Sequence, residues 1–135
     1  MRAFAKAVCV SACLFAFAGS AQAIELDGAW VTNETACSKV FTKRGGRTVL
    51  TKDADIYGSG FVIDRNQIRG KVVTCTIKAR KEDSGTHHLL ASCSNDVALQ
   101  NFQFSYKPDG DNKITRYFSG LPGLDTSYYR CPGVR

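Results

Sequence analysis

Cys75 and Cys93 lie in two short runs of alternating polarity, residues 72–80 and 87–94, and no other feature restricts the fold as strongly. The polar segment between them, residues 81–86, contains Gly85 and reads as a hairpin loop. A hairpin symmetric about Ser84 sets Cys75 opposite Cys93, Ile77 opposite Ala91 and Ala79 opposite Leu89. Side chains alternate along a strand, so Val73, Cys75, Ile77 and Ala79 share one face with Leu89, Ala91 and Cys93. Thr74, Thr76, Lys78, Arg80, Ser92 and Ser94 take the other face, with His88 and Leu90 among them. A single register accounts for both cysteines and for the polarity of both faces.

The N-terminus has the layout of a secretory signal peptide over residues 1–23. Arg2 and Lys6 are followed by an apolar run and by the small-x-small site Ala21-Gln22-Ala23. The apolar run is shorter than the roughly 20 residues a membrane-spanning helix needs, and no later stretch approaches that length. A lipid anchor at Cys13, after Val10-Ser11-Ala12, is the disfavoured alternative, because the apolar run continues through Leu14, Phe15 and Phe17. The expected mature chain is a single β-rich domain, residues 24–135, that is 135 less 23, or 112 residues. It is expected to be periplasmic or secreted.

Export leaves four cysteines, Cys37, Cys75, Cys93 and Cys131. An even number in an exported chain implies disulfides, with three possible pairings. The hairpin register selects Cys75–Cys93, and Cys37–Cys131 follows by elimination. No C-x-x-C pair suggests zinc, and no cysteine remains as a catalytic thiol. The full chain carries a net charge of +6; loss of Arg2 and Lys6 leaves 16 basic residues against 12 acidic, or +4. That balance gives a solvated surface with mild attraction for anions, and it lacks the dense basic patch of a nucleic-acid binder.

The rest of the mature chain shows short β-branched and aromatic runs separated by turn residues, with no long helical period. Strands are expected at residues 29–32, 39–42, 48–51, 61–64, 67–69, 101–106, 113–118 and 126–131, besides the central hairpin. Arg44-Gly45-Gly46-Arg47 and Arg65-Asn66 read as turns, the second setting Ile63 opposite Ile68. Ile68 and Val73 have opposite parity, so a bulge or bend is expected at Gly70-Lys71. Ile56 and Tyr57 are candidates for packing, and Phe102, Phe104 and Tyr106 are expected to point inward. Leu121 and Leu124 lie in a loop, residues 119–125, and are expected to be exposed. The fold class is all-β: a small antiparallel barrel or two-sheet sandwich of about eight strands, stapled by two disulfides.

Gly28-Ala29-Trp30 at the head of the first strand resembles the G-x-W start of lipocalin-like (calycin) barrels. That resemblance implies a tryptophan closing one barrel end beneath a basic residue from a late strand, either Arg130 or Arg116. The layout of Trp30, Cys37, the pair Cys75 and Cys93, and Tyr128-Tyr129-Arg130-Cys131 resembles small exported bacterial β-proteins, and that likeness implies no activity. Exported barrels of the protease-inhibitor and lysozyme-inhibitor kinds are similar in size, disulfide use and Ser-Gly elements, here Ser59-Gly60.

Chemistry is sparse. His87 and His88 are neighbours on a strand, so they face opposite ways and cannot share a metal. Asp109-Gly110-Asp111-Asn112 lacks the ligand spacing of a calcium loop and reads as a turn. Asn33-Glu34-Thr35 is a formal glycosylation acceptor. No G-x-S-x-G elbow marks a hydrolase. The expected function is therefore a non-enzymatic exported binding or interaction protein, inhibitor-like in outline, with no cofactor. Its partner would be a protein, engaged through loops, or an anionic surface, with Arg44, Arg47, Lys78, Arg80, Leu121 and Leu124 as candidate contacts. The alternatives are a calyx for a small apolar ligand, lined by Phe102, Phe104 and Tyr106, and a hydrolase that would need a nucleophile and base within hydrogen-bond reach.

Overall fold

A computed structural model describes residues 25–134; the expected signal peptide, residues 1–23, and Cys13 lie outside the described residues. Between barrel and sandwich, the structure is a barrel. The strands are β1 (Gly28–Val31), β2 (Phe41–Arg44), β3 (Arg47–Leu50), β4 (Gly60–Asp64), β5 (Gln67–Arg69), β6 (Thr74–Asp83), β7 (Thr86–Ser94), β8 (Leu99–Pro108), β9 (Lys113–Tyr117) and β10 (Thr126–Arg130). Eight of them close in the order β1-β10-β9-β8-β7-β6-β5-β4, while β2 and β3 form a separate hairpin. Closure satisfies the backbone without leaving a full-length sheet edge.

Two cores follow from the alternation of side chains. Trp30, Phe61, Ile63, Ile68, Ile77, Leu89, Phe104, Tyr106, Ile114 and Tyr128 fill the inside with the Cys75–Cys93 disulfide. Ala29, Val31 and Val62 point outward and pack beneath Val40, Phe41 and Ala54, beside the Cys37–Cys131 link. Strand β1 is therefore buried on both faces. Gly60 faces this outer layer, where an added Cβ would lie 2.8 Å from the Trp30 carbonyl oxygen and 2.9 Å from the Phe41 ring.

The central hairpin is longer and tighter than its sequence suggests. The strands run to Asp83 and resume at Thr86, joined by Ser84-Gly85 with φ of +50° and +78°. The expected pairs Cys75–Cys93 and Ile77–Ala91 are present, but Ala79 faces Leu90 and Arg80 faces Leu89. A two-residue turn centred between 84 and 85 demands a register one residue out of step with the cysteine pair. The extra residue is absorbed as a bulge at Lys78. Ala79 is consequently exposed, and Arg80 shares the face of Leu89 rather than that of Thr76.

The parity conflict near Gly70 is resolved by chain reversal rather than by a bulge. Gly70 N–H donates to the Val73 carbonyl at 2.8 Å, and β5 and β6 form a hairpin with Ile68 opposite Cys75. Ile63 sits opposite Ile68, as expected. The expected strand at 39–42 begins as a short helix, α1 (Cys37–Val40), before β2. Neighbours Val40 and Phe41 both enter the outer core, which a continuous strand would forbid and a helix-to-strand switch permits. Ile56 and Tyr57 are exposed rather than packed.

Candidate binding surface

The antiparallel order gives the barrel two unlike ends. At the first, Trp30 Nε1–H donates to the Leu26 carbonyl at 2.8 Å and the Arg130 guanidinium lies 4.3 Å from the Trp30 ring centroid. Arg130 Nε–H donates to the Asp111 carbonyl at 2.9 Å, Nη2 to Glu25 at 2.7 Å, and Nη1 to Asp27. Gly28 allows this closure: its φ is +140°, and a Cβ there would lie 2.7 Å from Arg130 Nη1. Of the two basic residues suggested for this position, Arg130 occupies it. Five donors in a planar fork and a cation over an aromatic face make this end a plug.

Arg116 lies toward the other end, its guanidinium 4.8 Å from the Phe104 ring and 4.4 Å from the Phe118 ring. Phe104 and Tyr106 are inside, 9% and 1% exposed, and their rings are parallel to within 6°. Phe61 joins them, at 5.7 Å from Tyr106 and 4.9 Å from Tyr128. Burial pushes the Tyr106 phenol well above its ordinary value, an effect that the Arg116 charge partly offsets and Tyr128 adds to. Phe102 departs from expectation: it has the inward parity but stands at the mouth, 43% exposed, with its centroid 6.2 Å from Phe104.

Two segments at this second end carry no charge, although Arg116, Asp96 and Asp125 border them. Residues 97–106 and 117–124 contain no charged side chain, in a chain that is 22% charged. They adjoin, because Ser105 of β8 pairs with Tyr117 of β9. The apolar side chains here are open: Leu99 is 74%, Leu121 53% and Leu124 58% exposed. Strand β9 stops at Tyr117, and the chain turns away through the Leu121-to-Phe118 backbone hydrogen bond of 3.1 Å. Residues 99–104 of β8 are thereby left with β7 on one side and no strand on the other among the described residues.

The candidate contacts do not form one cluster. Arg44 and Arg47 face each other on the outlying β2–β3 hairpin. Lys78 is exposed at the bulge. Arg80 donates to the Arg65 carbonyl and borders a crevice at the Trp30 end, with Glu25, Leu26 and Asp27. Of these contacts, only Leu121 and Leu124 lie in the uncharged segments. Phe102, expected inside as a calyx-lining residue, stands at the mouth instead, and the free edge of β8 had no counterpart in the sequence expectations. The available signal was a mismatch of length: ten residues in β8 against five in β9, which the Gly- and Pro-containing segment after Phe118 cuts short.

One polar pair lies on the outer wall. His88 Nδ1 is 2.8 Å from Ser105 Oγ, and Gln103 Nε2–H donates to the same oxygen at 3.5 Å. A shallow depression bordered by Thr86, Lys107 and Phe118 opens beside it. Ser105 is flanked by β7 and β9, so its amide lies within a ladder and is unavailable as an oxyanion donor. No carboxylate hydrogen bond to His88 occurs among the described residues. Nor do those residues contain a group of three His, Cys, Asp or Glu placed to hold a metal, or a helix long and apolar enough to cross a membrane.

Fold and site together define an eight-stranded, disulfide-stapled antiparallel barrel, plugged at one end and exposing two uncharged segments, 97–106 and 117–124, toward the other. No family model, curated protein or solved structure matches the chain.

Proposed function

We propose that this is a non-enzymatic exported interaction protein that engages a protein partner through the uncharged segments 97–106 and 117–124 at one end of its barrel. One observation carries the reading: two adjoining uncharged segments expose Leu99, Phe102, Leu121 and Leu124 around a strand edge with no neighbour. Exposed apolar area of this kind is costly in water unless a partner covers it. The signal-peptide pattern of residues 1–23 and the two disulfides fit an oxidising compartment outside the cytoplasm. The calyx reading is not carried forward, because Phe104 and Tyr106 are packed against their neighbours where a ligand would lie.

The test uses the mature chain as bait in periplasmic or host extract. A partner should be retained by the wild type and by Arg44→Glu/Arg47→Glu, and lost with Leu121→Asp/Leu124→Asp. Recovery of nothing, or loss with the arginine variant alone, overturns the reading.

A hydrolase remains the second reading because Ser105 and His88 are within hydrogen-bond reach. Activated-ester turnover that disappears in Ser105→Ala would favour it; equal rates in both proteins would retire it.

A further inference from the structure

Two of the barrel's free strand edges, each six residues long, are built differently. Strand β6 runs beyond its pairing with β5, leaving residues 78–83 with β7 alone. That edge contains Lys78, Arg80, Lys81, Glu82 and Asp83 and is distorted by the bulge, the usual defences against another strand. The edge of β8 at residues 99–104, Leu-Gln-Asn-Phe-Gln-Phe, has no charge, no proline and no bulge in its pairing with β7. Six residues of extended chain present about 20 Å of unpaired backbone donors and acceptors. A molecule that guards one edge and leaves the other bare has a use for the bare one.

From this contrast we infer that β8 pairs antiparallel with β8 of a second copy, across a two-fold axis at Phe102. The inference rests on the reading of this end as the contact surface, and it names the occupant. Antiparallel partners directly opposite each other share a face, so a two-fold axis normal to the sheet must pass through a residue rather than between two. Placing it at Phe102 sets that ring beside its counterpart, Asn101 opposite Gln103, and Gln100 opposite Phe104. Aromatic faces aromatic at the axis and amide faces amide beside it, with Gln100 meeting Phe104 one position further out. The segment is neutral, so the pairing brings no like charges together even though each mature chain has a net charge of +4 (16 basic less 12 acidic). The exposed Leu121 and Leu124 lie toward the same end of the barrel, on the loop after β9. The contact is small beside the roughly 1,600 Å² of a standard interface, so self-association should fall in the micromolar range.

Sedimentation equilibrium of the mature chain from micromolar to millimolar concentration, with hydrogen exchange across the same range, tests this. The expected result is a monomer–dimer equilibrium in which protection rises with concentration in residues 99–104 and not in 78–83. Phe102→Lys places two ammonium groups across the axis, and Asn101→Lys charges the same edge at an exposed position whose side chain makes no hydrogen bond among the described residues. Each should raise the dissociation constant about tenfold or more, whereas Thr76→Lys, exposed on a strand paired on both sides, should leave it within about twofold. A monomer at every concentration overturns the pairing, as does a dimer whose protection lies elsewhere or that survives both edge variants. Should the chain stay monomeric while the extract experiment returns a partner sensitive to Leu121 and Leu124, the pairing fails and the interaction reading stands.

Discussion

Removing the outer disulfide should cost more than removing the inner one. Cys37–Cys131 closes a sequence separation of 94 residues, and Cys75–Cys93 one of 18. Loop-closure entropy in the unfolded chain gives about 4.7 kcal/mol for the first and about 3.2 for the second, a gap of about 1.5. Each link contributes sulfur to a core, so the packing losses on cutting to alanine partly cancel in the comparison. Against a total stability of about 5–15 kcal/mol, loss of the outer link should lower the melting temperature by about 15–20 °C or more. The assay is urea unfolding of Cys37→Ala/Cys131→Ala and Cys75→Ala/Cys93→Ala beside the oxidised wild type. The outer variant should be the weaker by at least about 1 kcal/mol. An outer link worth less than about 1 kcal/mol in total would refute the loop-closure reasoning and detach the outer layer from the barrel's stability.

Three other substitutions probe the plug, the outer layer and the interior. Arg130→Ala should cost about 2–4 kcal/mol through three lost charge-assisted hydrogen bonds and the stacking on Trp30. Trp30 is the sole tryptophan, so its emission should shift to the red; unchanged stability and emission would mean the plug is incidental. Gly60→Ala should cost about 1–3 kcal/mol in thermal unfolding, because its Cβ meets the Trp30 carbonyl as well as side chains, and a neutral result would show that this layer yields freely. The Tyr106 phenol is held above its ordinary value of 10.0 in the folded state, chiefly by burial. Its contribution is therefore complete below pH 10 and declines as pH rises beyond it, when the unfolded chain loses the proton first. Stability should fall above pH 10, and Tyr106→Phe should flatten part of that slope; an identical slope in both would contradict the assignment.

What the sequence made legible follows from local rules. The alternation around Cys75 and Cys93 specified a face, a partner and a disulfide, and the second disulfide came by elimination. Ile63 and Ile68 were placed by a two-residue turn. The bulge at Lys78 was invisible because it arises from a conflict between two distant constraints, the Ser84-Gly85 turn and the cysteine pair, each of which looks regular alone. At Gly70 the parity called for a bulge or bend without choosing between them, because a bulge and a tight reversal both exchange faces. The helix at Cys37–Val40 is set by an outer core that forms only once β2 and β3 fold back over β1 and β4. The candidate surface was half legible. Leu121 and Leu124 were marked by apolar residues in a turn-rich loop, whereas the free edge of β8 depends on where β9 ends in space.

The most direct measurement for the central claim is site-specific photocrosslinking in the producing cell, comparing a reactive residue at Leu121 with one at Ser84. These positions lie at opposite ends of the barrel. The account predicts a discrete adduct, with another copy of the chain or with a second protein, from Leu121 and none from Ser84. Adducts from Ser84 alone, or from neither position, would contradict it.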